Sequence, residues 1–251
     1  MSGHNKWSSI KHQKGAADAK RGQLFTKLTR EIIVAVRQRG SDTDANYRLR
    51  LGIQKAHDSN MPYDNIDRAI KRGSGEAEGA ILVELELEGY GPGGAAIMVH
   101  AVSDNRNRTL PDIRNVFSRH GGNLGESGSV AWLFDTRGII TVEVGSLNKE
   151  DLELKAIDAG ADDVKVEDGY MEIFTKPEDL ETVRKGLEHQ NIPIASSGIS
   201  TVPKAPVHLP EKAALTTLKL LEKLEELDDV DNVTSNVDFS DDVLEKYRSQ
   251  P

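Results

Sequence analysis

Lys6, Trp7, Lys11, His12 and Lys14 crowd the start of the chain, and Lys20 and Arg21 follow them. Basic side chains interleaved with one aromatic are what a phosphate-tracking surface needs. Ammonium and guanidinium groups displace the counterions condensed on a nucleic acid, and an indole stacks on an exposed base. Trp7 fits a second role equally well, that of an apolar peg holding this arm on the protein. Lys27 and Arg30 continue the basic series. A second island reads Ser103-Asp104-Asn105-Arg106-Asn107-Arg108-Thr109, followed by Arg114, Arg119 and His120, then Gly121-Gly122-Asn123-Leu124-Gly125. The planar fork of arginine suits bidentate contacts to phosphates or base edges. The glycines let a ligand approach the backbone closely. The competing reading of this island is a set of salt bridges to neighbouring acids. These thirteen basic and aromatic positions, Lys6 to Arg119, are the candidate nucleic-acid-binding residues.

Charge is divided unevenly along the 251 residues. Residues 1–75 carry 15 Lys and Arg against 7 Asp and Glu, a net charge of +8, whereas residues 76–251 carry 17 against 34, a net of −17. Such a split points to a polyanion on the basic side, with the acidic remainder repelling the same polymer and orienting its approach. The acidic part also offers a face to a protein partner. The chain has no cysteine, which removes disulfides, thiolate zinc sites and a cysteine nucleophile together. No run reaches the roughly 18 apolar residues of a membrane span, and no apolar stretch follows the basic start, so neither a membrane partner nor a secretory signal is expected.

Catalytic signatures are missing. Gly89-Tyr90-Gly91-Pro92-Gly93-Gly94 looks like a dinucleotide fingerprint, but it lies between two strands, where no helix N-terminus can face a pyrophosphate, so it reads as a hairpin turn. The seven histidines show no close helical pairing, and His4 and His12 are isolated. Carboxylates are abundant without a constellation. The expectation is no catalytic residue, no metal, no cofactor and no enzyme. A magnesium-dependent nuclease built on scattered carboxylates is the weaker competitor.

The elements that would position these residues can be read from periodicity. Leu24, Leu28, Ile32 and Val36 fall four apart on one helical stripe that Phe25 and Ile33 widen, and Gly40 stands where a C-terminal cap belongs. Residues 41–44 offer N-caps for a second helix, and Pro62 opens a third that ends at Gly73. Residues 73–79 read as a linker. Alternation then gives strands at 81–88 and 95–102, a helix carrying Ile113, Val116 and Phe117, and a strand at 130–134. From Arg137 the order is strand, helix, strand, strand, helix, strand, the split βαβ unit of ferredoxin-like domains, with Asp168-Gly169 as its hairpin turn. Pro203, Pro206 and Pro210 mark a boundary before a Leu-rich helix and a last alternating strand through Val233, Ser235, Val237 and Phe239. The fold class is α+β with three domains. These are a basic helical domain at 1–78, an α/β domain from 79–134 plus 205–251, and an inserted ferredoxin-like α/β domain at 135–204. Three domains in simple series are the alternative that periodicity leaves open.

Gly3-His4-Asn5-Lys6-Trp7-Ser8-Ser9-Ile10-Lys11-His12, Ala17-Asp18-Ala19-Lys20-Arg21-Gly22 and Phe25-Thr26-Lys27-Leu28 closely resemble the start of YebC proteins. So do Asn60-Met61-Pro62, the 89–94 turn, residues 104–109 and Gly128-Ser129-Val130-Ala131-Trp132. The resemblance implies three domains, the last inserted in the middle one, and a cytoplasmic transcriptional regulator that binds DNA. Relatives that include a mitochondrial translational activator imply an alternative, a ribosome-associated translation factor that contacts rRNA or tRNA and helps translation of proline-rich stretches. No helix-turn-helix or other base-reading module is recognisable. The polymer bound, DNA or RNA, stays open at the level of sequence.

Overall fold

The computed structural model describes residues 17–145, 147–167 and 169–249. Three helices come first: α1 (Ala17–Arg39), α2 (Tyr47–Asp58) and α3 (Tyr63–Gly73). Leu28, Ile32, Ile33 and Val36 of α1 are buried with Leu49, Ala56, Ile66 and Ala69. Leu24 is 43% exposed and α1 begins seven residues before it. Periodicity marks only the packed part of a helix. Strong helix formers such as Ala17 and Ala19 extend it beyond the core by propagation.

One residue ends α1 and begins α2. The Asn46 side chain, fully buried, accepts the Leu49 N–H at 3.0 Å and donates to the carbonyls of Ala35 and Gly40, each at 2.7 Å. The cap of α2 is therefore Asn46 and not one of residues 41–44. Only Asn46 has an amide that can also satisfy the carbonyls left over at the end of α1. Gly40 adopts φ +84° and donates its N–H to the Val36 carbonyl at 2.7 Å, the left-handed cap expected of it. At the other junction, a Cβ on Gly73 would lie 2.6 Å from the Val36 Cβ, so α3 crosses α1 at a distance only glycine permits.

The first sheet holds β1 (Val83–Tyr90), β2 (Ala96–Ser103), β3 (Asn123–Leu124) and β8 (Val230–Ser235), in the order β3-β1-β2-β8. Gly89 and Tyr90 still pair in β1, and residues 91–95 make the turn to β2, tightened by a hydrogen bond from the Gly91 N–H to the Ala95 carbonyl at 2.7 Å. Leu85, Ile97, Val99 and Val233 face a core shared with α4 (Arg106–Arg119), α7 (Glu211–Glu225) and α8 (Asp241–Arg248) through Phe117, Leu218, Leu221 and Tyr247. The last strand, β8, pairs with β2 only after the chain has built a whole second sheet.

That second sheet contains β4 (Phe134–Glu143), β5 (Asp163–Glu167), β6 (Tyr170–Thr175) and β7 (Ile194–Pro203) in the order β5-β6-β4-β7, every pair antiparallel. With α5 (Lys149–Asp158) after β4 and α6 (Leu180–His189) after β6, the chain runs β-α-β-β-α-β. Its core is Ile140, Val142, Leu152, Met171, Ile173, Val183 and Leu187. Gly169 takes φ +82° at the β5–β6 turn, while Asp168 lies outside the described residues.

Two expectations fail. Residues 130–134 are not a strand. Residues Ala131–Leu133 form a single 3-10 turn, and Phe134 opens β4 of the second sheet. The reason is Glu88. Its buried carboxylate accepts the backbone N–H groups of Gly128, Val130 and Ala131 at 2.6, 2.7 and 2.7 Å, so those donors cannot enter a ladder. The final helix α8 was not expected at all, although Ser240, Asp241 and Asp242 start it and Val243, Leu244 and Tyr247 line its buried face.

Candidate nucleic-acid interface

The alternate residues of β1 that face away from the first core form one stripe, Glu84, Glu86, Glu88 and Tyr90. Glu84 receives Arg48 of α2 and Gln38 of α1. It also pairs with His100 of β2, whose Nε2 is 3.2 Å from Glu84 Oε1 and whose Nδ1 is 3.2 Å from Asp231 Oδ2. Burial opposes the imidazolium, but the bonds to Asp231 and Glu84 outweigh it and hold the His100 pKa up at about 10. The bond from His100 first, and then Arg48, bring Glu84 down to about 2 against the effect of burial. Helix α2 reaches the second sheet unit as well, through an ion pair of 3.3 Å between Arg50 and Glu181 and through Tyr47, which packs on its core. The helical unit is thus bolted to both sheet units by charge.

A second bolt decides which candidate cations are available. Asp229, in the loop between α7 and β8, is 9% exposed. Its carboxylate meets Arg30 of α1 at 2.8 Å and Arg108 of α4 at 2.9 Å. The buried hydroxyls of Ser103, at 3.1 Å, and of Thr109 also reach it. Burial works against this charge, and Thr109, Arg108, Arg30 and Ser103 together hold the carboxyl below its ordinary pKa. Beside it, Lys27 Nζ donates to the Glu225 carbonyl at 2.6 Å, and Arg30 to the Asp228 carbonyl at 2.6 Å. Glu225 is the last residue of α7, so the basic face of α1 caps the negative end of that helix.

The thirteen candidates therefore fall into groups. Lys6, Trp7, Lys11, His12 and Lys14 lie outside the described residues. Lys20 belongs to the first turn of α1. Lys27, Arg30 and Arg108 are held by Glu225, Asp228 and Asp229 inside the protein. For Arg108 the salt-bridge reading of the island is the one observed. Arg21 is exposed, its guanidinium 5.4 Å from the Phe25 ring centre and 3.5 Å from the Asn60 carbonyl, with no carboxylate partner among the described residues. Arg106, Arg114 and Arg119 are exposed on α4, and among the described residues their guanidinium groups make no hydrogen bond or ion pair. Because Arg30 and Arg108 share one carboxylate, the basic middle of α1 and the first turn of α4, with Arg106, are side by side. Sequence reasoning missed Asp229. It lies 121 residues from Arg108, and no local pattern marks it.

Carboxylates at these junctions are committed to cations, hydroxyls or backbone donors. No group of three or more His, Asp or Glu that could hold a metal ion occurs among the described residues. No helix among them is long and apolar enough to cross a membrane.

Comparison with known proteins agrees with this architecture. The family model for the TACO1/YebC protein N-terminal domain matches residues 5–76, and that for the TACO1/YebC second and third domain matches residues 82–237. A probable transcriptional regulatory protein of Dehalococcoides mccartyi is 59% identical over 250 residues, covering 100% of both chains. Another of that name, from Desulfosudis oleivorans, is 51% identical over 98% of this chain and 100% of its own. A crystal structure of a conserved hypothetical protein from Aquifex aeolicus superposes with a TM-score of 0.82 at 47% identity, covering 89% of this chain and 93% of that one. With both family models matched in order and relatives aligned end to end, the chain belongs to the TACO1/YebC family.

Proposed function

We propose that the protein is a non-enzymatic, DNA-binding regulator of transcription that acts in the cytoplasm. The observation that carries this reading is the set Arg21, Arg106, Arg114 and Arg119, cations on α1 and α4 without a carboxylate partner among the described residues of a net-acidic chain. A guanidinium that the fold leaves without a carboxylate can neutralise a phosphate without first breaking an internal ion pair. The printed names of the relatives, probable transcriptional regulatory proteins, support DNA as the polymer.

Binding to duplex DNA across a salt series tests the proposal. These four arginines with the lysines of residues 1–20 supply about six to eight phosphate contacts, and the affinity should fall with a log–log slope of about −5 to −7. A flat salt dependence refutes the reading. Equal affinity for promoter and random duplex refutes a sequence-specific regulator.

A further inference from the structure

Two aromatic rings stand on the surface at the far end of the β1 stripe, and both are fastened to one atom. The Tyr90 hydroxyl donates to the Ser129 carbonyl at 2.9 Å, and the Trp132 indole N–H donates to the same oxygen at 3.1 Å. Tyr90 is 36% exposed and Trp132 is 66% exposed. With each polar handle engaged inside the protein, what these side chains show to solvent is ring. An exposed tryptophan whose N–H is already used is poorly explained as a packing residue and well explained as a stacking surface.

The mount is stiff. Glu88, two residues from Tyr90 on the same stripe, holds the backbone of Gly128, Val130 and Ala131. Three charge-assisted bonds hold the tip of the loop from below. The Gly125 N–H donates to the Glu88 carbonyl at 2.7 Å, and Val130 and Phe134 on either side of the turn are buried with Ala96. A preorganised aromatic pair loses little freedom when a flat ligand settles on it.

The surroundings select the ligand. Tyr90 is registered with Asn123 of β3, and Arg119 ends α4 only four residues before Asn123. Arg119 is one of the unpartnered arginines. An aromatic surface with a free guanidinium nearby matches an unpaired nucleobase and its phosphate. Glu126, exposed in the same loop, repels a phosphate and leaves the Arg119 side as the path for the backbone.

We propose that Tyr90 and Trp132 form a stacking platform for an unpaired base of a single-stranded or locally opened nucleic acid, with Arg119 taking the adjoining phosphate. This rests on nucleic-acid binding as proposed above and adds the kind of strand recognised there. A closed duplex offers its phosphates to the arginines but no base face to the platform.

The test uses the full chain in a Trp7→Phe background, which leaves Trp132 as the single tryptophan. Its fluorescence is titrated with oligothymidylate, with a duplex of equal length and with a proline-rich peptide. Oligothymidylate should quench Trp132. Read by the anisotropy of labelled oligonucleotides, which needs no tryptophan, Trp132→Ala should weaken oligothymidylate binding about tenfold, Trp132→Phe should keep most of it, and duplex affinity should move less than about twofold. Trp132 is exposed, so circular dichroism of both variants should match the parent. Three results overturn the platform while leaving the phosphate-binding reading intact: parental affinity of Trp132→Ala for oligothymidylate, duplex binding without oligothymidylate binding, or quenching by the peptide in preference to the oligonucleotide. Failure of the wild-type chain to bind either nucleic acid at low salt removes both readings together.

Discussion

Asp229→Asn keeps the shape of the side chain at the α1–α4 bolt and removes its charge. The carboxylate serves four partners, of which Arg30 is 18% exposed and Arg108 is 49% exposed at the side chain. Arg108 returns to solvent and keeps Asp104 at 3.0 Å, so its share is small. The Ser103 and Thr109 hydroxyls can turn and accept from the new amide. Arg30 exchanges a charge-assisted bond in a largely dry site for a neutral one to the asparagine Oδ1 and keeps the Asp228 carbonyl. Bonds to charged groups contribute about 1.5–3 kcal/mol, and an uncompensated, partly buried guanidinium adds to that, so the cost is about 3 kcal/mol. In a chain of several units a single midpoint would blur this loss. Native-state hydrogen exchange separates it by element. The amides of α1 and the first turn of α4 should exchange about a hundredfold faster, with β4 to β7 unchanged. If α1 keeps its protection, or if all units lose protection equally, Asp229 is not the bolt that the geometry makes it.

Other consequences follow from the same charges. The raised pKa of His100 means the folded state binds a proton more tightly than the unfolded chain, so its stabilisation is complete below about pH 6.5 and lost as pH rises toward 10. The depressed Glu84 contributes above about pH 4.5 and loses its effect as pH falls toward 2. Stability should peak between these limits and decline above them by at most about 1.4 kcal/mol per pH unit, and His100→Gln should flatten the alkaline limb in denaturant titrations at pH 6 and 9. Glu88→Gln replaces an acceptor of three N–H groups by one carrying a donor of its own, and should cost about 2–3 kcal/mol of stability by denaturant titration with loss of the 128–131 turn in exchange experiments. An unshifted midpoint would remove Glu88 from that role. Replacing Arg106, Arg114 or Arg119 by Ala should each lower the magnitude of the DNA-binding salt slope by about 0.9 with no change in thermal midpoint, whereas Arg108→Ala should lower the midpoint. Slopes unchanged from the parent in all three variants would move the phosphate contacts off α4.

Much of this fold can be read locally. The four-residue spacing of Leu28, Ile32 and Val36, the positive-φ stop at Gly40 and the alternation along β1 are properties of neighbouring residues, and they hold in the structure. What cannot be read is who takes the polar groups. Val130-Ala131-Trp132-Leu133 has the apolar content of a strand, yet a carboxylate more than forty residues earlier takes the N–H groups a strand would use. The same holds for the candidate site. The type and density of basic residues are legible at once, because every lysine and arginine starts as a candidate. Availability is set by acids distant in sequence, and Glu225, Asp228 and Asp229 withdraw Lys27, Arg30 and Arg108 from the set. The helix α8 was missed for a different reason. Eight residues carry too few turns for periodicity to stand out, although the Ser240 cap and two acids at its start are the right signals.

The withdrawn cations still bear on binding. By meeting Arg30 and Arg108 on one carboxylate, Asp229 fixes α1 against the first turn of α4 and so sets where Arg106 stands relative to α1. A phosphate-binding surface assembled from two segments gains nothing from its charge count unless those segments are held at the spacing of a nucleic-acid backbone. On the proposed phosphate-binding reading, the internal salt bridge and the external phosphate contact are two uses of one basic cluster. The acids keep the part that sets the geometry and leave the rest to the ligand. On this view, restoring Arg30 and Arg108 to solvent by removing Asp229 raises the positive charge and still need not tighten binding, because the freed charges are bought with the loss of their alignment.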